Sequence, residues 1–194
     1  MLFTAMANIF IFHGVEGHPQ ENWFPYTKQE LETLGHKVFI PQFPTPENQT
    51  LKNWLKVLEE YKNEIKPDTF LVGHSLGAPF TLNVLERYAV KAAFLVAGFV
   101  GRADNEFDES MKTFAQREFN WEQIKNHCQY FKIYHSDNDP YLSLDKAQRI
   151  ADNLGVPITL VKGAGHFNIT SGYKTFPLLR NDIISIISSS SQTS

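Results

Sequence analysis

Phe70-Leu71-Val72-Gly73-His74-Ser75-Leu76-Gly77-Ala78-Pro79-Phe80 is the stretch that decides how this chain folds. Phe70 to Val72 is a short apolar run that stops at a glycine, and a helical pattern opens at Leu76 and runs to Tyr88. Ser75 falls at the junction, with Gly73 and Gly77 two positions to either side. A serine exposed on a sharp strand-to-helix turn needs small neighbours there, because the turn brings backbone close to backbone. The helix that follows aims its free N–H groups and the positive end of its dipole at the serine. Pro79 suits the first helical turn, where a missing N–H costs little. The pattern G-x-S-x-G alone is loose, and a glycine-bounded turn with a capping serine is the alternative. The strand before it and the helix after it favour a nucleophile.

Outward from this turn the same rhythm repeats. Ile9 to Phe12 stops at His13-Gly14, Val38 to Ile40 at Pro41, Ala92 to Ala97 at Gly98, Tyr130 to Tyr134 before Ser136-Asp137, and Ile158 to Val161 before Gly163. Each run is apolar on successive rather than alternate positions, as strands covered on both faces are. Helical patterns lie between them: Leu51, Trp54, Leu55, Leu58 and Tyr61 behind a capping Thr50, then Leu142 to Leu154 and Tyr173 to Ile187, with Gly35 and Gly155 at C-terminal caps and Ser143 as a further N-cap. Strand–helix alternation of this kind predicts an α/β domain of about six mostly parallel strands, with right-handed crossovers and helices on both faces. Residues 1–187 are expected to form one such domain. The connection across 98–128 is long and polar, with a short helix at Trp121 to Asn126, and is the expected lid over a site. The Ser-rich tail, 188–194, is expected to be disordered.

A serine hydroxyl is a weak nucleophile and needs a base, which needs an orienting acid. On a strand–turn–helix scaffold the three come in the order serine, acid, histidine, each at the C-terminal end of a strand. Of the seven histidines, only His166, in Gly163-Ala164-Gly165-His166-Phe167, follows every predicted strand. The acid belongs in His135-Ser136-Asp137-Asn138-Asp139-Pro140. Asp139 is favoured, stiffened by Pro140, while Asp137 suits the turn itself. An oxyanion hole draws its first N–H from Leu76, directly after the serine. Its second is assigned to Val15 in the loop His13 to Gly17, for which a plain glycine turn is the alternative.

At these residues the chain resembles the α/β-hydrolases, and among them the small serine hydrolases of the YdeN-like, retinoblastoma-binding-protein-9-like family. His13-Gly14-Val15 with Asn22-Trp23-Phe24-Pro25 is similar to the family's N-terminal segment. Trp54, Gly73 to Gly77, Trp121 to Lys125, Ser136 to Leu142 and Gly165-His166-Phe167 resemble its later landmarks, so the likeness spans about residues 8 to 187. It implies a trimmed α/β-hydrolase sheet, and it supports Asp139 over Asp137. Ser143 departs from the family, where proline is common. Residues 101–120 have no counterpart. The expected activity is hydrolysis of small carboxylic esters through an acyl-enzyme; a protein-binding module on a retained hydrolase scaffold is the rival, since relatives are described as protein-binding too.

Composition narrows the remaining classes. The 18 Lys and Arg against 21 Asp and Glu give a net charge of −3, so there is no electrostatic reason to expect nucleic acid or an anionic membrane as partner. The longest apolar run, Ala92 to Val100, is far short of the roughly 20 residues a membrane helix needs. Met1 to Phe12 carries no basic segment, and the single Cys128 fits a reducing compartment; the expected location is cytoplasmic. No phosphate-binding glycine motif and no metal-ligand spacing is present, so no cofactor or metal is expected. Trp23, Phe24 and Phe167 lie beside the proposed site loops and are candidate walls of an acyl pocket, with core packing the alternative.

Overall fold

The computed structural model describes residues 6–190. Its centre is a six-stranded sheet in the order β2-β1-β3-β4-β5-β6. In chain order the strands are β1 (Asn8–Phe12), β2 (Lys37–Phe39), β3 (Phe70–His74), β4 (Val90–Val96), β5 (Cys128–Ser136) and β6 (Ile158–Val161). Every pairing is parallel. The register aligns Phe12 with Gly73, Gly73 with Leu95, Val96 with Tyr134 and Ser136 with Val161. The loops that leave these strands therefore emerge along one edge of the sheet, and the site is built there.

Seven α-helices cover the two faces: α1 (Phe24–Thr33), α2 (Leu51–Leu58), α3 (Gly77–Leu85), α4 (Asp108–Ala115), α5 (Trp121–Asn126), α6 (Leu144–Leu154) and α7 (Pro177–Ser190). Side chains alternate across a strand, so Phe10, Phe12, Leu71, Ala93, Leu95 and Ile133 join one core, packed by α2 to α6. Ile9, Ile11, Phe70, Val72, Phe94 and Val96 join the other, under α1 and α7. β1 and β3 are buried at every position, which accounts for their unbroken apolar runs. β6 is half-exposed at the sheet edge.

Local signals were obeyed with a few instructive departures. Thr50 accepts the N–H of Asn53 at the start of α2, and Gly155 closes α6 at φ 72°. Ser143 does occupy the N-cap of α6, but its hydroxyl bonds the Asp145 carboxylate at 2.5 Å rather than capping the backbone. β5 is longer than its apolar run, because pairing with β4 begins at Val90–Cys128 and ignores the polar Gln129. α7 starts at Pro177 and continues through Ser190, so the tail expected to be disordered from residue 188 is helical to 190. Residues 191–194, and Met1 to Ala5 at the other end, lie outside the described residues. No helix among the described residues is long and apolar enough to cross a membrane.

Candidate active site

β3 ends at His74 and α3 begins at Gly77, so Ser75 and Leu76 alone make the turn. Ser75 holds φ at 54°, a left-handed conformation that costs a side-chain-bearing residue about 1–3 kcal/mol and persists only where its surroundings enforce it. Its N–H donates to Val96 at 2.9 Å and its carbonyl accepts from Ala78 at 2.9 Å. A Cβ on Gly77 would stand 2.1 Å from the Phe12 carbonyl oxygen, so β1 and the elbow touch backbone to backbone. All nine residues of α3 are buried. The elbow is thus gripped from three sides.

After β6 the chain turns back over the sheet edge, and His166 meets Asp139: Nδ1 lies 2.8 Å from Oδ2, with the two side chains 10% and 0% exposed. The other carboxylate oxygen, Oδ1, accepts the N–H groups of Tyr141 at 2.9 Å and Leu142 at 3.1 Å. One oxygen is fixed by the backbone and the other is left to the imidazole. With Nδ1–H donating to Asp139, the free lone pair of a neutral His166 is on Nε2. Asp137 goes elsewhere: its Oδ1 accepts the N–H of Gly163 at 2.8 Å and braces the histidine loop.

Ser75 and His166 line one cavity of about 360 Å³, together with Val15. Gly14 packs tightly beside it: a Cβ there would stand 3.0 Å from the Ser75 Cβ and press on the serine. Gly14 to Gly17 form a turn closed by Gly17 N–H to the Gly14 carbonyl at 3.3 Å, and the Glu16 N–H is committed to Thr45 Oγ1 at 2.7 Å. The N–H groups of Val15 and Leu76 donate to no carbonyl among the described residues. Two free N–H groups in the loops flanking a serine are what a developing oxyanion needs.

Trp23, Phe24 and Phe167 do not line this cavity. All three are fully buried in the core under α1 and α7. The Trp23 ring packs edge-on against Phe24 and Phe176, with centroids at 4.7 and 5.7 Å, and its Nε1–H donates to the Phe167 carbonyl at 3.0 Å. A large aromatic ring with one polar atom gains more from that burial than from a wet wall. The walls are instead Phe99, Phe107, Met111, Leu142 and Ile169, with Glu16, Glu21 and Glu106 among the polar lining. Three of these wall residues, Phe99, Phe107 and Met111, come from the long connection between β4 and β5, where Met111 lies on α4, a helix the sequence reading did not place. Burial pushes the Glu21 carboxyl up to about 7.

His74 also went unassigned. It is 3% exposed, burial pushes its pKa down to about 3, and its ring lies 5.1 Å from that of His166. Cys128, the one thiol, is buried, with its pKa pushed up to about 12 by that burial, so it carries no thiolate chemistry near neutrality. Among the described residues no group of three or more His, Cys, Asp or Glu is placed to share a metal ion.

A serine on a left-handed strand-to-helix turn at the C-terminal edge of a parallel sheet, with a carboxylate-bound histidine facing the same cavity, defines an α/β-hydrolase architecture. The serine hydrolase family model matches residues 9–183, and the chain belongs to that family. It is 26% identical to YdeN of Bacillus subtilis over 184 residues, 93% of this chain and 96% of that one. It is also 26% identical to the serine hydrolase RBBP9 of Rattus norvegicus over 162 residues, 82% and 85% of the two chains. The crystal structure of the B. subtilis ydeN gene product superposes with a TM-score of 0.87 at 26% identity, covering 94% of this chain and 100% of that one. A carboxylesterase structure from the thaumarchaeon Nitrososphaera gargenis shares the fold at a TM-score of 0.73 and 10% identity, covering 96% and 93%.

Proposed function

We propose that this serine hydrolase cleaves small carboxylic esters by acyl transfer, with Ser75 as nucleophile, His166 as base and Asp139 as orienting acid. Ser75 Oγ attacks the ester carbonyl while His166 Nε2 takes its proton. Asp139 holds the imidazole in the required tautomer and stabilises the imidazolium. The N–H groups of Leu76 and Val15 receive the oxyanion. Collapse of the tetrahedral species breaks the C–O bond, His166 returns the proton to the leaving alcohol, and water repeats the sequence to free the acid. The observation that carries this reading is the 2.8 Å bond from His166 Nδ1 to Asp139, with His166 and Ser75 on one cavity. The size of that cavity supports an ester of modest length.

The test is covalent labelling with a fluorophosphonate, followed by intact mass and peptide mapping, alongside turnover of short-chain p-nitrophenyl esters. Stoichiometric adduct on Ser75 is expected, absent in Ser75→Ala and reduced in His166→Ala. Ser75→Ala should lower kcat by a factor on the order of 10⁶ while leaving the fold intact. Folded protein that takes no label and turns over no ester would reverse the reading in favour of a binding module.

A further inference from the structure

The loop that carries His166 is held from beneath by two ring N–H groups that lie far from it in sequence. Trp23 Nε1–H donates to the carbonyl of Phe167 at 3.0 Å. His74 Nε2 lies 2.8 Å from the carbonyl of His166 itself. Burial keeps His74 neutral, so it has one proton to give, and the carbonyl can only accept. That proton is on Nε2. The other nitrogen, Nδ1, is buried without a partner, a cost the fold bears while keeping the first bond. The two donor rings also pack against each other, with centroids 6.0 Å apart at 76°.

The loop needs such support. Gly165 and Phe167 both hold positive φ, 53° and 52°, on either side of the base. Glycine adopts that geometry freely; phenylalanine does so only under constraint. Trp23 and His74 supply the constraint on the two consecutive carbonyls at His166 and Phe167, and each is fixed in turn. Trp23 stands at the start of α1, wedged between Phe24 and Phe176. His74 is the last residue of β3, one position before Ser75.

We propose that Trp23 and His74 are positioning residues that act as one clamp, tying the base-bearing loop to the nucleophile strand so that the His166 imidazole is held towards Ser75. This rests on the proposed serine-hydrolase reading. It gives Trp23 a purpose other than walling a pocket: the tryptophan sets the direction of the base from the far side of the core.

Four variants test the clamp: Trp23→Phe, which keeps an aromatic ring and removes the N–H; His74→Leu, which removes the other donor; His74→Gln, whose amide puts an N–H near the position of Nε2; and Trp23→Phe with His74→Leu together. Circular dichroism establishes folding. Readouts are single-turnover acylation by a p-nitrophenyl ester, the steady-state split between kcat and KM, and hydrogen exchange of the amides across residues 163–172. Trp23→Phe and His74→Leu are each expected to lower the acylation rate and kcat by about 10- to 100-fold, as small misplacements of a catalytic group do, with KM within about twofold of the parent. His74→Gln should recover most of the loss. The double variant should lose less than the product of the two single losses, because both donors hold one loop. Exchange across residues 163–172 should accelerate in each donor-deleted variant.

Folded single variants with parental acylation and unchanged exchange overturn the proposal. A loss that appears in KM alone, or that His74→Gln fails to repair, also overturns it. If the parent protein takes no fluorophosphonate, the serine-hydrolase reading fails, and exchange still decides whether the two rings hold the loop.

Discussion

At the scale of single residues, the proposed mechanism depends on which of two neighbouring carboxylates reaches the imidazole. Asp139 Oδ2 does so, and Asp137 spends its oxygen on the Gly163 amide. Asp139→Asn keeps the shape of the side chain but leaves the histidine in the wrong tautomer, and is predicted to lower kcat by about 10⁴. Asp137→Asn retains an acceptor for the same amide and should stay within a few fold of the parent. Equal losses in the two variants, measured as kcat on one ester, would refute the assignment of the orienting acid. That Asp139 rather than Asp137 meets the imidazole was legible before any coordinates, from the proline directly after Asp139 and from the family resemblance. The placement of Trp23 was not. Adjacency in sequence puts a residue near a loop without saying to which side of the backbone its ring points, and here the indole turned inward to a buried carbonyl.

At the scale of elements, regular structure was readable and the irregular connection was not. Glycine, proline or histidine interrupts most of the apolar runs near the strand ends, although β3 and β5 continue through the buried Gly73-His74 and His135-Ser136. The segment from Gly98 to α4 has no period to read, and its arrangement depends on Asp108. That carboxylate accepts the N–H of Ala103 at 2.7 Å and of Asp104 at 3.1 Å, and pairs with Arg102 at 2.9 Å. Asp104 in turn pairs with Lys146 on α6. The neighbouring Glu106, Phe107 and Met111 line the cavity. Asp108→Ala frees two backbone donors and is predicted to raise KM for the preferred ester about tenfold, with kcat changed by less than threefold. Steady-state kinetics with two esters of different acyl length check this, and a loss confined to kcat would show that the connection does not shape binding.

At the scale of the whole molecule, several histidines are folded in a form that resists protonation. Burial lowers the pKa of His13 to about 4 and of His74 to about 3, and it lowers His36 and His135 as well. His13 has a second reason to stay neutral, since its Nε2 accepts the Phe43 N–H at 3.1 Å while Nδ1–H donates to Gly14 at 2.8 Å. Because the folded pKa values are depressed, the unfolded chain binds protons first as pH drops below about 6.5. The stability these groups contribute is complete above that value and is lost as pH falls towards 4 and then 3. At pH 5, His13 and His74 should each account for a loss on the order of 2 kcal/mol. Glu21, raised to about 7, works in the opposite direction: its contribution is complete below the ordinary carboxyl range and is lost as pH rises through 7. Urea midpoints should therefore fall between pH 7 and pH 5, and fall more steeply in Glu21→Gln. A flat profile would contradict the neutral, buried histidines.

The enclosure of α3 has a consequence for how such a molecule can change. Every residue of that helix is buried, so the element that follows Ser75 has no surface on which substitutions can accumulate without disturbing the core. Three of the cavity walls belong to the long connection between β4 and β5, which buries Phe99, Met111 and Phe114 in the core and exposes Arg102, Asp104, Glu106 and Glu109. The turn at Ser75 and the rim of its cavity thus lie in parts of the chain with different tolerance for alteration. The first is locked, while the second offers exposed positions that can change with the Ser75 turn left where it stands.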